Sequence, residues 1–112
     1  RLQLSGMEVS SMNGIFLNNA KTVANIPSYT KQGFSDYNIY FVMSTARTGR
    51  WVIDSDFDSD FYSARSNIIA IKNGVQSPTS AFSWELLRDT KWIEQKNANM
   101  ICVDGMQQFS WL

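Results

Sequence analysis

Four carboxylates stand at alternate positions in Asp54-Ser55-Asp56-Phe57-Asp58-Ser59-Asp60. Hard oxygen ligands at this spacing suit Ca²⁺, because a tight turn can wrap several of them around one ion. Asp54, Asp56, Asp58 and Asp60 are therefore the candidate metal ligands, and Ca²⁺ is the only cofactor the residues suggest. The match to a helix-loop-helix calcium loop is partial. Ser59 stands where the sharp-turn glycine belongs, and Arg65 stands where the bidentate glutamate belongs. A solvated acidic loop explains the same residues without a metal. Arg47, Arg50 and Arg65 flank the segment, and arginine pairs carboxylates bidentately, so internal neutralisation competes with a cation. Arg47 and Arg50 are also candidates for an anionic group on a partner.

Catalysis finds few players. The chain has no histidine, which removes the usual neutral-pH base and the usual zinc ligand. Its single cysteine, Cys102, lies in the apolar run Met100-Ile101-Cys102-Val103, and a buried, inert thiol is expected there. The glycines are scattered singly, so no phosphate-cradling loop forms. The expectation is a protein that is not an enzyme. Ten basic residues balance ten acidic ones, which argues against nucleic-acid binding. No apolar run approaches the roughly 20 residues of a spanning helix, so membrane insertion is not expected.

Aromatic side chains are the remaining lever. Trp51, Trp84, Trp92 and Trp111 accompany Tyr29, Tyr37, Tyr40 and Tyr62. Trp51 and Trp84 fall on core-facing parity by alternation, whereas Trp92 and Trp111 are the candidate surface rings. Exposed rings stack on sugars, and Trp, Tyr and Arg dominate protein-docking hot spots. Trp92, Trp111, Arg47 and Arg50 are thus the candidate binding residues, for a protein partner or a glycan.

The elements that must position these residues read as short strands. Tyr37 to Met43 is aromatic and β-branched, and both of its faces are apolar, as in a central strand. Arg50 to Asp54 follows a polar turn ending in Gly49, which completes a hairpin. Further strands are expected at Gly14–Leu17, Ser28–Lys31, Asn67–Ile71, Phe82–Leu86, Lys91–Glu94 and Asn99–Val103, with a last one over Gln107–Leu112. Gly, Asn and Pro punctuate them, and no 3.6-residue stripe persists beyond two turns. The expected fold is all-β, an antiparallel sandwich or small barrel. At 112 residues the chain makes one domain. It begins with Arg rather than Met, so a processed chain or a part of a longer protein or assembly is expected. Its residues assign no compartment.

Met12-Asn13-Gly14-Ile15-Phe16, Asn25-Ile26-Pro27-Ser28-Tyr29, Asn38-Ile39-Tyr40-Phe41 and Gly49-Arg50-Trp51-Val52-Ile53 occur in that order, followed by Ser77-Pro78-Thr79 and Trp84. This series resembles a small β-domain found in multidomain proteins of algae and other protists. The resemblance spans Leu4 to Trp92, with Phe16 in place of the pattern's first tyrosine and Thr79 in place of its second proline. That family carries no assigned chemistry. The resemblance implies a compact module used within larger proteins or assemblies. The expected function is accordingly a non-catalytic structural or protein-interaction module. The alternative is a carbohydrate-binding module, with or without the assistance of Ca²⁺ at the aspartate loop.

Overall fold

The computed structural model describes residues 1–33, 37–55, 62–71 and 77–103. Within them the chain forms ten antiparallel strands in one curled, half-barrel sheet. The strands are β1 (Leu2–Ser5), β2 (Gly14–Val23), β3 (Ile26–Lys31), β4 (Asn38–Met43), β5 (Thr48–Asp54), β6 (Ala64–Ser66), β7 (Ile69–Ala70), β8 (Trp84–Arg88), β9 (Lys91–Glu94) and β10 (Asn99–Cys102). Their spatial order is β10-β1-β2-β3-β4-β5-β6-β8-β9, with β7 paired separately to β5. The fold is all-β, as the alternation predicts, and the single curled sheet is the barrel-like form rather than two stacked layers.

Alternation decides which side chains fill the concave side. Ile39 faces Ile53 and Phe41 faces Trp51 across β4–β5, and all four are buried. Phe16, Leu2, Leu4 and Met100 extend that core across β2, β1 and β10, while Ala64, Trp84 and Leu86 extend it the other way. Trp51 packs edge-on against Phe41, with ring centroids 5.2 Å apart, and tilts against Tyr29 at 6.4 Å. Such geometry sets the positive ring edge against a π face. Buried Ser66 accepts the Trp51 backbone N–H at 3.0 Å and donates to the Asn67 carbonyl at 2.8 Å.

The curl is held where its ends approach. Buried Gln95 accepts the Glu8 N–H through Oε1 at 2.8 Å, and its own N–H donates to the Trp84 carbonyl at 2.8 Å. Gly6, at φ +81°, lies so close to Asn97 that any Cβ would collide with the Asn97 carbonyl.

Several boundaries differ from expectation, each for a local reason. Strand β2 runs on to Val23, because a register shift between Asn18 and Thr22, with Ala20 at φ 64°, restores pairing with β3. The expected strand Asn67–Ile71 shrinks to Ile69–Ala70, and the strand at Phe82 begins only at Trp84. Asn67 causes both changes, since its Oδ1 accepts the N–H groups of Phe82 and Ser83 and holds that corner as a loop. Cys102 is exposed, which corrects the expectation of a buried thiol. Met100 takes the buried place opposite Leu4, and Cys102 ends a strand that closes one end of the sheet order. The expected strand at Gln107–Leu112 lies outside the described residues.

Candidate functional site: an aromatic and charged cluster on the outer face

Residues of opposite parity to the core form the convex face, and pairing aligns them in rows. Val52 stands opposite Arg65, Arg65 opposite Glu85, and Glu85 opposite Glu94, so one row crosses β5, β6, β8 and β9. Leu87 and Trp92 make the next row. Tyr62 enters just before β6. The result brings together Tyr62 and Arg65 from one segment with Glu85 and Trp92 from the β8–β9 hairpin about twenty residues on.

Arg65 is the hub. Its Nε donates to Glu85 Oε1 at 2.7 Å, and its guanidinium carbon lies 4.0 Å from the centre of the Trp92 ring. Tyr62 leans on Trp92, with centroids 5.7 Å apart and planes at 38°. Arginine suits this place because its flat, weakly hydrated cation can stack on a ring while its edge pairs a carboxylate. The Arg65 and Glu85 side chains keep 25% and 36% of their surface, so water screens the pair. Each contact contributes about 0.5–1 kcal/mol at such exposure, too little to explain the cluster as a stabilising device. A guanidinium held by a ring and a carboxylate has, however, little conformational freedom left to lose. Glu94 is exposed, and no cation pairs with it among the described residues.

Beside this cluster the outer face carries a partly buried polar chain. Ser28 Oγ donates to Asn19 Oδ1, Asn19 Nδ2 to Thr30 Oγ1, and Thr30 Oγ1 to Asn38 Oδ1, at 2.8–2.9 Å. Asn38 Nδ2 reaches the Ser55 carbonyl at 3.4 Å. Tyr40 donates its hydroxyl to Asp54 Oδ2 at 3.2 Å, and Asp54 Oδ1 accepts the Ser55 N–H at 2.8 Å. Asp54 is thus a buried acceptor within the sheet. Asp56, Asp58 and Asp60 lie outside the described residues, as does Trp111. Among the described residues no three His, Cys, Asp or Glu side chains converge as a metal cage.

Of the other expected binding residues, only Trp92 lies in the cluster. Arg50 shares its face, opposite Val42, and Arg47 is exposed in the loop between β4 and β5. Neither pairs with a carboxylate among the described residues. Glu85 escaped the sequence reading, because Arg65 and Trp92 meet it only through the order β6-β8-β9. A second exposed feature lies at the Asn67 corner, where Phe82 is 85% exposed and Ile68 is 54% exposed. No helix among the described residues is long and apolar enough to cross a membrane.

Comparison of the chain with protein-family models, curated proteins and solved structures finds no match.

Proposed function

We propose that this chain is a non-catalytic protein-interaction module that docks its partner on the outer-face cluster of Tyr62, Arg65, Glu85 and Trp92. The observation that carries this reading is the placement of Arg65, held between the Trp92 ring and the Glu85 carboxylate while a quarter of its side chain stays in solvent. Docking hot spots are enriched in Trp, Tyr and Arg, and a fixed arginine loses less freedom when a partner arrives. The resemblance to a module of larger proteins accords with such a role.

Glycan binding ranks second. The free edges of Arg65 and Glu85 could bond vicinal hydroxyls, which favours it. Against it, the guanidinium occupies a face of Trp92 that a sugar ring would need. The Phe82 and Ile68 corner ranks below the cluster because no ring or charge contact among the described residues fixes Phe82.

The test is affinity capture on immobilised module from its native source, with bound proteins identified by mass spectrometry. A protein retained by the parent and lost with Trp92→Ala and Arg65→Ala is the expected result. Retention indifferent to both substitutions would refute the reading, and release by free oligosaccharide would favour glycan binding.

A further inference from the structure

Strand β9 is the last strand in the sheet order, so among the described residues its outer backbone edge has no neighbour. A free edge of this kind can accept an extended chain as an added strand, the backbone supplying affinity and alternate side chains supplying selectivity. The side chains of β9 are not neutral on this point. On the outer face it presents Trp92 and Glu94, and on the other face Lys91 and the 40% exposed Ile93. Glu94 stands directly opposite Glu85. Like charges so placed repel, and Arg65 offsets only Glu85, through Nε. A cation on the far side of β9 would relieve Glu94.

We propose that β9 takes up an extended segment of another polypeptide, one bearing lysine or arginine at the outer-face positions and aliphatic residues between them. This rests on the outer-face cluster being a protein-docking site, and it names the chemistry of the partner. Lys91, on the opposite face, disfavours a second basic row there and so sets which way up the added strand lies. The other terminal strand, β10, carries no charge and no aromatic ring, and offers no comparable selectivity.

The probe is a six-residue peptide alternating valine and lysine, capped at both ends, with its glutamate counterpart as control. Binding is followed by amide NMR shifts in the whole chain. The lysine peptide shifts the Lys91–Glu94 amides and binds about fivefold tighter than the glutamate peptide, the effect of one good exposed ion pair. Glu94→Lys reverses that preference, and because Glu94 is exposed the variant keeps the parent spectrum elsewhere. No shift at β9, equal affinity for the two peptides, or a preference unchanged by Glu94→Lys would overturn the inference. The same amides shifting with protein concentration alone would also overturn it, by making a second copy the occupant. Failure here with Trp92-dependent capture intact removes strand addition only, whereas capture indifferent to Trp92→Ala removes the docking reading itself.

Discussion

Replacing Trp51 with alanine removes the largest side chain in the middle of the core. The indole is fully buried, set edge-on to Phe41 and tilted against Tyr29. An aromatic side chain of this size buries about 150–250 Å², worth about 4–6 kcal/mol at 25 cal/mol per Å². Alanine recovers a small part of that, and the cavity left beside Phe41 and Tyr29 adds to the loss. The indole N–H has no acceptor among the described residues, so no side-chain hydrogen bond is lost with it. The expected destabilisation is about 3–5 kcal/mol, within the range for emptying an aromatic core site. That is a large share of the 5–15 kcal/mol typical of a whole domain. Urea unfolding followed by far-UV circular dichroism measures it, with the change read from the midpoint at constant slope. The control is Trp92→Ala, which loses the cation–π contact with Arg65 and the ring contact with Tyr62 on the outer face and costs about 1–2 kcal/mol. Equal costs for the two variants, or a Trp51→Ala loss below about 1 kcal/mol, would refute the assignment of the concave face as the core.

Gly49→Ala should destabilise by about 1–3 kcal/mol in the same assay, because the new Cβ would lie 2.3 Å from the Phe41 ring and 2.5 Å from the Val42 carbonyl oxygen. Ser66→Ala should cost about 1–3 kcal/mol, since it leaves the buried Trp51 N–H without its acceptor. Tyr29 titrates above its usual 10.0, first because burial disfavours the phenolate and second because the Cys102 thiolate repels it. Its folded pKa exceeds its unfolded one, so the stability it contributes is complete below pH 10 and is lost as pH rises through the folded value. Absorbance at the phenolate band against pH, and melting curves above pH 10, check the direction. Millimolar Ca²⁺ should shift the melting temperature no more than Mg²⁺ does; a Ca²⁺-specific rise abolished by Asp56→Asn would instead establish a metal site.

How much of this was legible in the sequence follows from the range of the interactions. The central hairpin was readable, because Ile39, Phe41, Trp51 and Ile53 alternate, although β5 starts at Thr48 and Gly49 pairs with Met43 instead of ending the turn. Strand β9 was readable to the residue, since Lys91-Trp92-Ile93-Glu94 returns after the polar stretch Arg88-Asp89-Thr90, where Asp89 and Thr90, both at positive φ, make the turn. The end of β2 was not, because nothing about Ala20 or Ala24 announces a positive φ. The exposure of Cys102 was also hidden, as an apolar run looks the same on an edge strand as on a central one. The cluster was half legible. Trp92 stood out as a surface ring, yet its contact with Arg65 depends on β8 lying between β6 and β9, a long-range arrangement that no local pattern encodes.

The proposed docking surface is the face of Tyr62, Arg65, Glu85 and Trp92. A photo-crosslinking phenylalanine analogue placed at Tyr62, or in a second preparation at exposed Phe82, tests it most directly in extract from the native source. The expected result is a discrete covalent adduct from position 62, competed by excess unlabelled parent but not by Arg65→Ala, and no competed adduct from position 82. Competed adducts from position 82 alone would contradict it and move the docking surface to the Asn67 corner.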